Sequence, residues 1–338
     1  MPFRIVHGNI VDVKADAIVN AANTRLLPGG GVCGAIFEAA GFEKLYEACR
    51  AIGWCDVGQA AATPAFDLRA KFIIHTPGPI WQDGEHGEAE LLASCYTASM
   101  ACALANGCSS IAFPLISAGI FGYPKHEAYQ VARDAITKFI AEHDLTVMLV
   151  IYEAGDDITG YRDRNLEMRL ERLAREEREA KRLFDVHRRP SDLREDKRSD
   201  VLASESDTIF KESEHLSLDK IIDARSQSFS ELLMRMIWVK GAKPSDIYKR
   251  ANIDRKLFSK IKNKPDYMPS KQTAVSFAIA LELDVDKTQE LLETAGYVLS
   301  GSSKFDIIIE YFIEHKMYDI FEINEALFHY GQPLLGAF

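Results

Sequence analysis

Asn20-Ala-Ala-Asn-Thr-Arg-Leu-Leu-Pro-Gly-Gly-Gly-Val-Cys-Gly-Ala-Ile-Phe-Glu-Ala-Ala-Gly41 packs a polar pair, a glycine run and a helix start into one segment. The apolar run Ala17-Ile18-Val19 before it reads as a strand entering a core, so Asn20 and Asn23 fall where that strand ends. Gly29, Gly30 and Gly31 then lead into a helix. Glycines at such a turn let backbone N–H groups approach a phosphate, and the helix start adds unsatisfied donors and its positive dipole end. Taken alone, the run is better explained as a tight turn with a helix cap.

A second unit of the same design follows. Ser110-Ile-Ala-Phe-Pro-Leu-Ile116 reads as a buried strand, and Ser117-Ala-Gly-Ile-Phe-Gly-Tyr-Pro124 as a glycine loop before another helix. In an open α/β sheet, ligands sit beyond the carboxyl ends of the strands, so two such loops could hold one diphosphate from both sides.

Working outward, strand-like runs at Arg4–His7, Ala17–Ala21, Ala60–Ala65, Phe72–His75, Ile111–Ile116 and Val147–Tyr152 alternate with helical patterns at Val32–Ala40, Phe42–Ile52, Glu88–Asn106 and His126–His143. This alternation predicts a three-layer α/β domain over residues 1–159, with a mixed, largely parallel central sheet. Residues 160–225 read as a charged spacer. Leu166, Leu170, Leu173, Ala180 and Phe184 mark a short solvated helix, and Pro190–Ser217 reads as a mobile linker. Periodicity returns over 226–338, with a helix on Phe229, Leu232, Leu233, Met236 and Ile237. Four shorter helices are expected around Lys243–Ala251, Asp254–Lys262, Lys271–Leu283 and Asp286–Ala295, and two more in Lys304–Leu335.

The chain has 338 residues and a net charge of -10. Residues 1–159 hold 10 basic against 18 acidic side chains. Such an acidic unit is a poor general polyanion binder, so a phosphate there must be gripped by local backbone donors. No apolar run of about 20 residues predicts a membrane span, and no signal peptide is recognised, so a cytoplasmic location is expected. All six cysteines lie within residues 33–108 without a CxxC pair, which argues against zinc and for free thiols. No metal and no cofactor are expected. His75, in an apolar strand, reads as a hydrogen-bonded core histidine.

Five ordered motifs make residues 1–159 resemble a macrodomain of the MacroD-like branch: Gly8-Asn9-Ile10, Asn20-Ala-Ala-Asn23, Gly29-Gly-Gly-Val-Cys-Gly-Ala-Ile36, Ile74-His75-Thr-Pro-Gly-Pro79 and Ser117-Ala-Gly-Ile-Phe-Gly-Tyr123. The resemblance implies ADP-ribose, or an ADP-ribosylated protein or nucleic acid, as the partner. It implies that Asn9 and Ile10 flank the adenine, with Asn9 standing where the family usually has an aspartate. Gly30, Gly31, Val32, Cys33 and Gly34 would line the diphosphate from one side. Ser117, Ala118, Gly119, Ile120 and Phe121 would line it from the other. Asn20 belongs to the implied ligand set, and Asn23 would hold the distal ribose.

Where MacroD-type hydrolases have an aspartate and a histidine four residues later, this chain has Cys33 and Phe37. The Gly-Gly-Gly-Val-Cys loop is similar to that of alphavirus macrodomains, which hydrolyse protein-linked ADP-ribose. Candidates for catalysis are therefore Asn23, Gly31 and Cys33, with Cys33 also read as a packing or ligand-contact residue. The implied activity is removal of mono-ADP-ribose from macromolecules. A non-enzymatic reader or transcriptional regulator, an O-acetyl-ADP-ribose deacetylase and a ribonuclease III inhibitor-like protein stay open.

Residues 226–296 resemble a phage-repressor (XRE-like) helix-turn-helix domain through Ser245-Asp-Ile-Tyr-Lys-Arg-Ala-Asn-Ile-Asp254, Lys256-Leu-Phe-Ser-Lys-Ile-Lys-Asn263 and Pro269-Ser270. Seven basic residues between Lys249 and Lys264 face one acid, Asp254. The resemblance implies base contacts from Arg255, Lys256 and Lys260 and phosphate contacts from Lys262, Asn263 and Lys264. A lysine-rich solvated helix in a protein-binding module is the alternative. Oligomeric state is left open by the sequence.

Overall fold

A computed structural model describes residues 2–152, 158–187 and 227–336. Six strands form one sheet: β1 (Phe3–His7), β2 (Ala17–Ala22), β3 (Ala61–Pro64), β4 (Phe72–Pro77), β5 (Ser110–Pro114) and β6 (Thr146–Ile151). Their order is β1-β6-β5-β2-β4-β3, parallel throughout except for the antiparallel pair β3 and β4. Helices α1 (Val32–Ala40) and α2 (Phe42–Ile52) cover one face, and α3 (Glu88–Ala105) and α4 (Lys125–Glu142) the other. Successive side chains of a strand point to opposite faces. Thus Ala17 and Val19 join the core under α3 and α4, whereas Ile18 and Ala22 join the core under α1 and α2. The three-layer α/β expectation holds.

The charged stretch folds as α5 (Arg164–His187). Its first half is not solvated: Leu166, Leu170 and Leu173 are buried. They pack beside α11 (Lys304–Glu314), and Arg169 pairs with Glu310 and Glu314 at 2.6 and 2.7 Å. A spacer was expected because charge dominates the composition. The three leucines recur on one stripe, and a partner surface was enough to bury it. The side chains at 180 and 184, and the stretch Pro190–Ser217, lie outside the described residues.

The carboxyl-terminal part is helical, as expected. It contains α6 (Phe229–Val239), α7 (Pro244–Arg250), α8 (Arg255–Asn263), α9 (Lys271–Ala280), α10 (Val285–Glu293), α11 and α12 (Ile320–His329). Ser228, Asp254, Ser270, Asp284, Ser303 and Asp319 cap six of these helices with a side-chain oxygen on a backbone N–H. No helix among the described residues is long and apolar enough to cross a membrane.

The two parts share one buried hydrophobic cluster rather than meeting through a tether. Strand β1 is an edge strand, and α12 lies beside it: Phe321 meets Phe3 with ring centroids 6.0 Å apart, and Phe328 stacks on His7 at 4.5 Å. Arg133 on α4 reaches the buried Glu325 of α12 at 2.6 Å. At the start of the edge, Asn252 accepts from the Phe3 N–H (2.7 Å) and donates to the Phe3 carbonyl (2.8 Å), as a neighbouring strand would. The backbone groups that the edge strand would leave open at Phe3 are thereby paired by the helical part.

Candidate functional site

The carboxyl ends of β2, β5 and β6 open into a cavity of about 590 Å³. The first wall is Gly29 to Cys33. Gly31 begins α1 with φ 63° and ψ −136°, a backbone that only glycine adopts readily, and no side chain caps the helix start. The first amides of α1 are therefore available to an anion. The second wall is Ser117 to Phe121, where Ser117 has φ 63° and its buried hydroxyl has no hydrogen-bond partner among the described residues. The walls meet through Gly30 and Ile120: a Cβ on Gly30 would lie 3.4 Å from Ile120 Cδ1. Ile120 is 81% exposed and so forms an outer lip rather than core.

Of the residues expected here, Asn9, Ile10, Asn23, Gly30, Gly31, Val32, Cys33, Ser117, Ala118, Gly119, Ile120 and Phe121 line this one cavity. Two of the expected ligand residues do not. Asn20 still lies inside β2, on the face under α1, and is 1% exposed. Its amide donates to His75 Nδ1 at 3.1 Å, so it braces the floor instead of reaching a ligand. Gly34 is inside α1, where a Cβ would come within 2.8 Å of the Gly29 carbonyl; its task is close packing of loop on helix.

Two further residues are already engaged. Asn9 Oδ1 accepts from Val11 N–H at 3.4 Å and caps the short turn Ile10–Asp12. Asn23 Oδ1 accepts from the N–H groups of Arg25 and Leu27, and its Nδ2 donates to the Leu27 carbonyl at 2.7 Å. Asn23 thus first shapes the loop that leads to the glycines, and those bonds use only one of its two Nδ2 protons.

Cys33 is on the wall but nearly buried, and burial pushes its thiol up, against a partial opposing effect of the Asn20 side chain and the Gly29 backbone. It is a protonated thiol at neutral pH, and its burial matches a packing or contact residue. Alkylation at neutral pH should reach the partly exposed Cys102 well before Cys33; mass-spectrometric mapping showing the reverse order would contradict this placement. Phe37 is fully buried against Phe42 and away from the cavity. Among the described lining residues there is no aspartate, glutamate or histidine.

His75 is fully buried, with Nδ1 against Asn20 and Nε2 2.9 Å from Thr63 Oγ1. Burial pushes its pKa down to about 4. The ring is therefore neutral in the folded protein, while the unfolded chain binds a proton near pH ~6.5. Its contribution to stability is full above that pH, declines as pH falls toward about 4, and is spent below it. The decline should amount to about 3 kcal/mol, read from urea unfolding at pH 7.5 and pH 4.5, and His75→Gln should flatten it.

The sequence reading missed Lys125 and Tyr152, which also line the cavity. Lys125 follows the second glycine loop as the first residue of α4, and Tyr152 follows the carboxyl end of β6. Position at a strand's carboxyl end was the available signal for Tyr152, and position at a helix start after a glycine loop for Lys125.

The residues considered for DNA lie elsewhere. On α8, Arg255, Lys256, Lys260, Lys262 and Asn263 are exposed, and Phe258 and Ile261 are buried. Asn252, with φ 54°, stands in the four-residue turn 251–254 before it. The basic run is shorter than its sequence: Lys249 donates to the Ala141 carbonyl of α4 at 2.9 Å, and Arg250 pairs with Glu282. Lys260 sits over the Tyr267 ring at 4.3 Å.

Residues 19–132 match the family model described as Macro domain. A macro domain-containing protein of Chlorobaculum tepidum is 52% identical over 137 residues, covering 40% of this chain and 79% of that protein. A protein of Citrobacter rodentium named O-acetyl-ADP-ribose deacetylase is 53% identical over 140 residues, covering 40% of this chain and 78% of its own length. The solved Oceanobacillus iheyensis macrodomain with ADP is 38% identical, covering 51% of this chain and 91% of that one, with a TM-score of 0.44. Through this amino-terminal α/β unit, the chain belongs to the macro domain family.

Proposed function

We propose that the cavity binds ADP-ribose and that the protein removes mono-ADP-ribose from modified macromolecules. The observation that carries the binding is the uncapped start of α1 facing the Ser117–Phe121 loop across a single cavity. These backbone donors suit a diphosphate. Asn9 and Ile10 stand at the adenosine end and Asn23 at the distal ribose. The deacetylase name of the Citrobacter relative supports ADP-ribose chemistry.

The wall contains no carboxylate or imidazole among its described residues, so a water must be oriented by the ligand's own phosphate while Asn23 and the amide at Gly31 hold the ribose. Without a general base the rate should fall below that of an acid-bearing site by about 10²–10⁴-fold. Mono-ADP-ribosylated protein incubated with the full chain should lose the modification slowly, and Asn23→Ala should stop the loss. Parallel incubation with O-acetyl-ADP-ribose decides whether the ester is the preferred substrate.

The same wall favours a second reading, a reader that binds without turnover. Tight calorimetric binding with no release from either substrate establishes that reading and removes the hydrolase. We further propose that residues 226–338 target the ADP-ribose-binding unit, residues 1–159, to DNA through α8. Its four exposed cations Arg255, Lys256, Lys260 and Lys262, with the exposed Lys264 directly after the helix, support this reading. Binding should weaken steeply with salt. A gel shift with duplex DNA at low salt tests it, and an absent shift there leaves a protein partner as the target.

A further inference from the structure

The second glycine loop is braced from behind by the segment 78–87, which runs from the end of β4 to the start of α3. Gly78 lies so close to Ser117 that a Cβ there would run into the serine hydroxyl. Trp81 donates its backbone N–H to the Phe121 carbonyl at 2.9 Å, and its ring packs on Tyr123 with centroids 4.4 Å apart. The segment then turns back at Gly84, whose φ is 90° and where a Cβ would come within 2.8 Å of the Trp81 ring. The turn is closed by one side chain. Glu88, 2% exposed at the first position of α3, accepts from Gln82 N–H at 3.2 Å, Gly84 N–H at 3.3 Å and His86 N–H at 2.7 Å.

We propose that Glu88 is a positioning residue for diphosphate binding: by gathering the backbone of 82–86 it holds Trp81 against Phe121 and keeps the Ser117–Phe121 loop in its anion-gripping form. This rests on the reading of the cavity as an ADP-ribose site.

A carboxylate that accepts several backbone N–H groups is held ionised, and charge-assisted bonds of this kind are stronger than neutral ones. The carboxyl of Glu88 is accordingly held down near a pKa of about 2: burial works against ionisation, and the converging N–H groups outweigh it. A simpler account, a favourable acid at a helix start, is separable because Glu90 occupies the same first turn, exposed, and makes none of these loop bonds. Glu88 does not line the cavity, so its influence on a ligand must pass through the segment.

The test uses the full chain with Glu88→Gln, Glu88→Ala, Gly84→Ala and the control Glu90→Gln. Two readouts are taken: hydrogen exchange at the Gly122 and Tyr123 amides, which bond to Gly119 and Ser117 within the loop, and calorimetric titration with ADP-ribose. The Glu88 variants and Gly84→Ala should exchange faster at those two amides and bind about tenfold more weakly, the scale of lost hydrogen bonds to a charged group. Amides of β2 should stay protected in them, and Glu90→Gln should match wild type. Unchanged exchange at Gly122 and Tyr123 in folded Glu88 variants overturns the brace. Faster exchange with wild-type affinity overturns the positioning role. If wild type itself does not bind ADP-ribose, the assignment of the cavity and the ligand role resting on it both fall, while the exchange data still decide the brace. Should Glu88→Ala not fold, Glu88→Gln and Gly84→Ala carry the comparison.

Discussion

Gly31→Val should weaken ADP-ribose binding by about ten- to hundredfold, the free-energy scale of forcing a β-branched side chain into a sparsely populated backbone conformation. Gly31 has φ 63° and ψ −136°, and a valine can relieve the strain only by rotating the peptide that feeds α1. That rotation turns the first amides of the helix away from the anion. The added side chain also projects from a cavity-lining position, where a Cβ has no neighbour within 4 Å to stop it. Calorimetric titration reads the loss directly, and thermal melting separates it from unfolding. Affinity within twofold of wild type would mean that the grip does not depend on the start of α1.

The second large effect concerns the seam between the two parts of the chain. Asn252→Ala should cost about 2–4 kcal/mol, because it leaves the Phe3 N–H and carbonyl buried without their partners. Alanine also tolerates the left-handed backbone at this position less well than asparagine. The melting temperature should drop by roughly 5–15 °C, and amides of β1 should lose protection in hydrogen exchange. Gly336 packs closely on the same residue: a Cβ there would come within 2.9 Å of Asn252 Nδ2. A variant that melts as wild type does, with β1 still protected, would show that the seam is held by its other contacts.

Both experiments concern features that were only partly legible beforehand. The α/β unit was legible because buried parallel strands read as apolar runs and because glycine loops follow two of them, at Gly29 and at Ser117. Element ends in that unit differ from expectation by a residue or two. The site was legible as two loops and not as a surface. Asn20 and Asn23 look equivalent in the sequence, yet three residues along a strand end carry one side chain under a helix and the other to the cavity mouth. Gly34 looks like part of the phosphate loop and proves to be a packing glycine, because its Cα faces the Gly29 carbonyl.

What the sequence determined by itself was local: strands and helices from hydrophobic period, and phosphate-suited turns from glycine. These depend on neighbours within a few residues. The tertiary structure alone decided which buried groups pair across long separations. Asn252 closing the edge at Phe3, Glu325 meeting Arg133, and leucines of a highly charged helix disappearing into a core each need surfaces brought together from distant parts of the chain. The physical reason is that an amphipathic stripe or an open strand edge states a need for burial without naming what will satisfy it, and only packing names the partner.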